Sequence, residues 1–288
     1  MENSPPRHIL FATDFSARCD RAKVRTIQLA LQWHARLTVI HVIEDDDAPF
    51  EQPETQSLPR AVSHSAMLLR DELSAIEGLS STVVVRRGRP HVEIREIALQ
   101  DKTDLIVTGI SRNEFDGRSL LGSTTTSLLR ESGLPVLVVK KKPGDTRDRI
   151  VVAIDLSPAA SGVLATAVRF FRPESLVLFH AIEPTYKNWV DDKEAYSRQI
   201  SKEAVKQVRS LSDDFTQHGG AREIQIVTLE GDPVQQLAAY VDDNDIDLVI
   251  AGTEGRHQIM NLFVDSVAGH NPHEVQCDIM IVPRHAQN

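Results

Sequence analysis

The chain has 288 residues, of which 41% are hydrophobic and 25% are charged, and its formal net charge is −9. This length and composition predict a globular protein of two domains, each large enough to bury its own core. The negative charge argues against DNA or RNA as a partner, because nucleic-acid binding needs a concentrated basic surface.

The two cysteines, Cys19 and Cys277, lie in opposite halves and form no CxxC motif. This usage predicts a reduced, cytoplasmic protein without disulfides. The first residues show no basic and apolar secretory pattern, and no apolar run is long enough to span a bilayer. A membrane partner is therefore not expected.

Short β-branched runs alternate with longer amphipathic stretches, which predicts βα units and a mostly parallel sheet. In the first half, strands are predicted at residues 9–13, 37–43, 82–86, 105–108 and 136–139. Helices are predicted between them at residues 17–35, 58–76, 92–100 and 123–131.

Residues 140–149 are polar, charged and broken by a Pro-Gly pair, which predicts a linker between domains at residues 1–142 and 148–288. The second half repeats the order of elements. Its strands are predicted at residues 150–154, 176–182, 224–229, 248–251 and 279–282. Its helices are predicted at residues 159–171, 193–218 and 234–243, and from residue 266 onward.

The two halves also correspond residue by residue. Asp14 and Asp155 each follow the first strand, and Gly88-Arg-Pro90 corresponds to Gly231-Asp-Pro233. Both pairs lie about 140 residues apart. This constant spacing indicates a duplicated unit, so a site expected in one half has a counterpart in the other.

Ligands of open parallel α/β sheets bind at the carboxyl ends of the strands. Asp14 and Asp155 lie there, and a carboxylate at this position accepts hydrogen bonds from a sugar hydroxyl or a base edge. An equally weighted alternative is a helix N-cap, a function that Ser16 or Ser157 could also serve.

Gly109 ends the fourth predicted strand, and Gly122-Ser123-Thr124 opens the next helix. The N–H groups, hydroxyls and positive dipole end at such a helix start suit a phosphate. The stretch from Gly117 also resembles a P-loop. However, Ser123 stands in place of the lysine and no apolar strand precedes it, so we reject a P-loop.

A family resemblance rests on several motifs together. The loop from Gly109 to Gly122-Ser123, followed by a helix and Leu134-Pro135-Val-Leu-Val-Val, resembles the Gly-x2-Gly-x9-Gly-(Ser/Thr) pattern of the universal stress proteins. Further matching motifs are Thr13-Asp14-Phe-Ser, His41-Val42, Gly88-x-Pro90 and Thr103-Asp104-Leu-Ile-Val. They cover nearly the whole chain twice, so the chain resembles a tandem universal stress protein.

The resemblance implies two open α/β domains of the adenine nucleotide alpha hydrolase-like type, with strand order 3-2-1-4-5. Members of the family commonly pair through their fifth strands. Residues 136–139 and 279–282 are therefore expected to pair within the chain as a pseudo-dimer, with a further homodimer left open.

The resemblance also implies where a ligand would bind. In nucleotide-binding members, ATP lies over the positions of Asp14, Val42 and Gly109, with its phosphates on the loop that ends at Gly122-Ser123-Thr124. ATP or another adenine nucleotide is the cofactor expected from this resemblance.

Each half departs from the family pattern at a different residue. In the first, Arg112 replaces the second glycine; a left-handed turn there would be strained by roughly 1 kcal/mol, although its guanidinium could contact phosphate. In the second, Gly252 and Gly255 match, but Asp265 replaces the glycine before Ser266. An anion there would cap the helix and repel a phosphate. Weak ATP binding, or none, is expected in the first half and loss of this binding mode in the second.

The favoured function is a cytoplasmic stress-response module that holds a nucleotide or another small ligand and passes its state to partners. The alternative is a ligand-free interaction pseudo-dimer. A slow ATP hydrolase is the least favoured, because no nucleophile–base pair or Gly-x-Ser-x-Gly elbow is visible and no catalytic residue is expected.

Two sets of side chains receive structural interpretations. His270, His273 and Cys277 have irregular spacing and no evident fourth partner, so a metal site is not expected. His41 and His180 end the second strand of each half, where a hydrogen-bonded imidazole is favoured over a catalytic base.

Overall fold

The structure is a computed structural model. It describes residues 4–45, 59–112, 119–120, 122–144, 148–172, 174–183, 192–217, 223–253 and 277–284. For residues 111, 112, 119, 120 and 217 only the backbone is described. Residues 5–143 and residues 144–288 form two compact units, called the first and second domains below.

The first domain alternates strands and helices in the predicted order. Its elements are β1 (His8–Ala12), α1 (Asp20–Trp33), β2 (Arg36–Glu44), α2 (Arg60–Ser74), β3 (Ser81–Gly88), α3 (Pro90–Gln100), β4 (Leu105–Gly109), β5 (Ser111–Arg112), β6 (Ser119–Leu120), α4 (Ser123–Glu131) and β7 (Val136–Val139). Two details differ from the prediction. Ala17–Cys19 form a short 3₁₀ turn ahead of α1, and β5 and β6 form an antiparallel hairpin that the sequence pattern did not reveal.

The sheet of the first domain is parallel, in the order β3-β2-β1-β4-β7. Numbered by its five long strands, this is the predicted order 3-2-1-4-5. Every residue of β1, β4 and β7 is buried, as expected for parallel strands that are covered by helices on both faces.

The second domain repeats this architecture. Its elements are β8 (Ile150–Ala153), α5 (Ala160–Phe171), β9 (Ser175–Ile182), α6 (Lys193–Gln217), β10 (Glu223–Glu230), α7 (Pro233–Asp243), β11 (Leu248–Gly252) and β12 (Asp278–Val282). Its parallel order is β10-β9-β8-β11-β12, again 3-2-1-4-5. The predicted α/β fold class is confirmed. The predicted helix from residue 266 onward lies outside the described residues, and pairing between fifth strands stays a prediction.

The duplication extends to backbone conformations that L-residues rarely adopt. Four pairs of corresponding residues share a positive φ: Phe15 and Leu156 (both 61°), His34 and Arg172 (53° and 43°), Lys102 and Asp245 (52° and 50°), and Gly88 and Gly231 (138° and 140°). Three of these pairs contain no glycine. The same turns have therefore been kept while their side chains changed.

The repeated Gly-x-Pro motif has a steric explanation. Gly88 ends β3, and Gly231 directly follows β10. A Cβ atom at these positions would lie 2.9 Å from Glu93 Oε1 and 2.8 Å from Gln236 Nε2, respectively. The proline two residues later occupies the first turn of the following helix, where its fixed φ suits the helix and its missing N–H costs no hydrogen bond.

Candidate functional site

The carboxyl edge of the first sheet brings the predicted ligand-binding positions together. Ala12, at the end of β1, is paired with residues of both β2 and β4. On these three adjacent strands, Asp14 therefore follows β1, Val42 lies near the end of β2 and Gly109 ends β4. The start of α4 lies near the same edge, since Thr125 Oγ1 is 3.2 Å from Thr108 Oγ1 on β4.

Asp14 stabilises a tight turn rather than capping a helix. Its Oδ1 accepts hydrogen bonds from the Ser16 backbone N–H (2.8 Å) and the Cys19 thiol (3.2 Å). This contact spans the left-handed residue Phe15 in the manner of an Asx-turn. In the second domain, Asp155 Oδ1 accepts from the Ser157 N–H at 3.0 Å.

The alternative prediction of a helix N-cap is therefore wrong in both domains. Ser16 precedes the 3₁₀ turn without a capping side-chain hydrogen bond. In the second domain α5 begins after Ala159, again without a side-chain cap. Each aspartate instead lies in the turn before the helix and accepts a backbone hydrogen bond within that turn.

The surroundings of Asp14 keep it ionised. Partial burial acts to raise its pKa, but hydrogen bonds from Ser16 and Cys19 and the charge of Arg18 together hold the pKa of Asp14 below its usual value. For Cys19, burial and the neighbouring carboxylate raise the thiol pKa. The pair is thus a carboxylate acceptor and a protonated thiol donor.

His41 of β2 and His180 of β9 each make a hydrogen bond to the backbone, the structural function that was favoured over catalysis. His41 Nδ1 donates to the Thr13 carbonyl and His180 Nδ1 donates to the Ile154 carbonyl, both at 2.9 Å. A carbonyl oxygen only accepts, so Nδ1 carries the proton in both rings. In the first domain Phe15 also stacks on the His41 ring, with centroids 4.3 Å apart.

The start of α4 offers backbone donors for an anion. Gly122 is the N-cap residue, with φ −63° and ψ 158°, and no side chain caps the helix. Ser123 and Thr124 occupy the first turn. Because the first N–H groups of a helix have no partner within the helix, they and the positive dipole end face the loop here.

Arg112 lies in β5, opposite Ser119 of β6. Pairing of this kind requires extended backbone, which any residue adopts. The left-handed strain expected of an arginine in place of glycine is therefore not found at this position.

The glycines that end the fourth strands differ in how tightly they pack. Neither Gly109 nor Gly252 has a positive φ, so the left-handed freedom of glycine is not needed at either. A Cβ at Gly109 would lie 3.6 Å from the Arg18 carbonyl, an ordinary contact, whereas a Cβ at Gly252 would lie 2.9 Å from Val163 Cγ2. Close packing of α5 on β11 thus accounts for Gly252.

Several predicted residues lie outside the described part of the chain. They are Gly255, Asp265, Ser266, His270 and His273. Cys277 is buried. Among the described residues, no group of His, Cys, Asp or Glu side chains is arranged to hold a metal ion, and no helix has the length and apolarity to cross a membrane.

Each domain has a cavity near its first strand-to-helix turn. That of the first domain measures about 200 Å³ and is lined by Phe15, Cys19, Lys23 and Glu72, among others. Lys23 Nζ lies 2.9 and 3.0 Å from the two carboxylate oxygens of Glu72 and so links α1 to α2.

The cavity of the second domain is larger, about 290 Å³, and lies between the carboxyl ends of β8 and β9 and helix α6. Sequence reasoning included Asp155 at this edge but missed the cavity. The sequence feature that could have indicated the cavity is the helical spacing of the apolar residues Ile200, Ala204 and Val208 on α6. Val208 is fully buried, while Ile200 and Ala204 line the cavity.

Comparisons with known proteins agree with this architecture. The model of the "Universal stress protein family" matches residues 6–140 and again residues 146–283. Universal stress protein Rv2005c of Mycobacterium tuberculosis is 25% identical over 295 residues, which cover 95% of this chain and 96% of that protein.

Two solved structures share the fold over nearly the whole chain. A universal stress protein from Archaeoglobus fulgidus aligns with a TM-score of 0.62 and 17% identity, covering 98% of this chain and 97% of that one. A functionally unknown protein from Pseudomonas aeruginosa aligns with a TM-score of 0.64 and 16% identity, covering 97% and 93%.

Proposed function

The chain belongs to the universal stress protein family, and on that premise we propose that it is a cytoplasmic stress-response module whose first domain binds an adenine nucleotide weakly. The second domain, with Asp265 in place of the glycine before Ser266, does not hold phosphates in this way. The proposal also places the end of the first domain at residue 142 and the start of the second at residue 148.

The observation that carries the proposal is the uncapped start of α4 at the carboxyl edge of the first sheet. Its backbone N–H groups and the hydroxyls of Ser123 and Thr124 suit a phosphate group. The ionised Asp14 carboxylate, which follows β1 next to β4, suits the donor groups of a ribose or a base. Arg112, in the hairpin that follows β4 along the chain, supplies a cation for the phosphates.

Two features keep this binding weak. Asp14 Oδ1 already accepts two hydrogen bonds within its own turn. The cavity beside it, about 200 Å³, is below the ~300–1,000 Å³ that is usual for ligand pockets.

Calorimetric titration of the full chain with Mg-ATP tests the assignment. Gly122→Asp places an anion at the start of α4 and is expected to weaken ATP binding by about tenfold or more. Ser127→Asp adds the same charge within α4, away from its N-terminus, and serves as the matched control. Asp265→Gly is expected to raise the stoichiometry from one site towards two.

If neither Gly122→Asp nor Asp265→Gly changes ATP affinity or stoichiometry, the assignment of the phosphate loop is wrong. Native mass spectrometry of the purified chain adds a second readout, the mass of any co-purified nucleotide. Absence of both co-purified nucleotide and calorimetric binding would favour the alternative, a ligand-free interaction pair formed through the fifth strands.

A further inference from the structure

We propose that the cavity of the second domain binds a small organic cation, meaning an amine carried on an apolar or aromatic body no larger than a nucleoside. The cavity lies at the carboxyl ends of β8 and β9 and is bounded by α6. Because all of its lining residues belong to the second domain, the proposal does not rest on nucleotide binding by the first.

The volume of the cavity and its apolar floor determine the size and the apolar character of the ligand body. Its volume of about 290 Å³ is at the lower limit of the ~300–1,000 Å³ usual for small-molecule pockets. A single flat ring system fits such a space, whereas a nucleoside triphosphate does not. Buried Ile154, Phe179 and Ile182 form an apolar floor, which favours a hydrophobic ligand body.

The charges of the side chains that line the cavity determine which ligand head group can bind. Asp155, Glu183 and Glu203 contribute carboxylates, and no lysine or arginine is found among the described residues that line the cavity. A phosphate there would face like charges, whereas an ammonium group would be attracted by each of them. Glu203 lies on the exposed side of α6 and receives a long hydrogen bond, 3.4 Å, from Gln207 Nε2, so it can turn towards a ligand at little cost.

The first domain, in contrast, has a cation among the residues that line its cavity. Lys23, on α1, lines the first cavity and contacts both oxygens of Glu72, so this domain supplies its own ammonium group. Ala22 and Val163 occupy matching positions against Gly109 and Gly252. Lys23 therefore corresponds to Leu164, which is fully buried.

Two near-isosteric probes of opposite charge test the proposal on the full chain: tryptamine, a cation, and indole-3-acetate, an anion. By calorimetry at low salt, tryptamine is expected to bind and indole-3-acetate is not. Raising the salt concentration should weaken tryptamine binding, because partly exposed charges are screened.

Matched variants then locate the site. Glu203→Gln is expected to weaken tryptamine binding about two- to fivefold, the range for a partly exposed ion pair. Adding Asp155→Asn should bring the loss to about tenfold, while the asparagine oxygen can still accept the Ser157 N–H and preserve the turn. Glu194→Gln removes a carboxylate on the same helix that does not line the cavity, and it should have no effect.

The proposal fails if neither probe binds at millimolar concentration, if indole-3-acetate binds as tightly as tryptamine, or if the double variant binds tryptamine like the parent. Failure of the nucleotide proposal is recognised separately. Gly122→Asp should leave tryptamine binding unchanged, and Glu203→Gln should leave Mg-ATP binding unchanged.

Discussion

The first and second domains share strand order and left-handed turns but differ in the chemistry of their carboxyl edges. In the first, Lys23 pairs with Glu72 beside the cavity and Phe15 stacks on His41. In the second, three carboxylates surround a larger cavity. The comparison shows that the two domains share the same turns while the side chains that line their cavities differ.

The largest effect is expected where both domains share a glycine at positive φ. Gly88→Ala and Gly231→Ala each force an alanine to φ near 140° and bring its Cβ within 2.9 Å of a neighbouring side chain. Each variant should lower the free energy of unfolding of its own domain by about 2–3 kcal/mol. Hydrogen exchange, which reports each domain separately, should show similar losses in β3 and β10.

Gly133→Ala is the control for this pair. Its φ of 68° is also left-handed, but a Cβ there meets no atom within 4 Å, so a smaller loss of about 1 kcal/mol is expected. If Gly88→Ala and Gly231→Ala differ widely in cost, the two domains do not depend equally on this turn.

At the amino ends of the sheets, the two domains use different side chains to donate a hydrogen bond to a carbonyl that follows a helix. His8, 4% exposed, donates from Nδ1 to the Asp101 carbonyl at 2.9 Å, and its Nε2 lies 2.8 Å from Thr38 Oγ1. At the corresponding position, Arg149 Nη1 donates to the Asn244 carbonyl at 3.0 Å. Both side chains thus satisfy a carbonyl that follows a helix.

His8→Leu removes this donor and should destabilise the first domain by about 1–2 kcal/mol. The Asp101 carbonyl then keeps only the longer hydrogen bond from Arg36 Nη2, at 3.3 Å, and Thr38 keeps only its hydrogen bond to Asp101 Oδ2. His8→Arg supplies the donor used by the second domain and should cost less than half as much. Denaturant unfolding with hydrogen exchange on β1 and β2 measures both. Equal destabilisation by leucine and arginine would show that the imidazole matters for its shape rather than as a donor.

Hydrophobic periodicity predicted the long strands and the described helices of both domains because each central strand is buried on both faces and each helix on one. The left-handed turns at Phe15 and Leu156 could not be predicted in this way, since neither residue favours positive φ. They form because the preceding aspartate accepts a hydrogen bond across the turn.

The candidate site was less predictable than the fold. Gly252 was assigned to a ligand from its place at a strand end, whereas the structure explains it by contact with Val163. The cavity of the second domain depends on how Ile200 and Ala204 of α6 pack over β8 and β9. Such a long-range arrangement leaves no local motif in the sequence.

The smallest expected effect comes from the pair Glu93 and Gln236, which pack against Gly88 and Gly231. Burial raises the pKa of Glu93, the charge of Glu96 raises it further, and Arg86 lowers it in part. A carboxyl group whose pKa is higher in the folded state favours folding while it is protonated. That contribution is lost as the pH rises through the folded pKa.

At neutral pH the charged Glu93 is therefore a small net cost, and Glu93→Gln should stabilise the first domain by at most about 0.5 kcal/mol, since solvent screens a partly exposed group. Gln236→Glu should weaken the second domain by a similar amount at pH 7 and by less near pH 4. Unfolding measured at both pH values tests the pair. If Glu93→Gln instead lowers stability at pH 7, the attraction of Glu93 to the positive end of α3 outweighs the cost of its burial. Glutamate would then stabilise this position more than glutamine does.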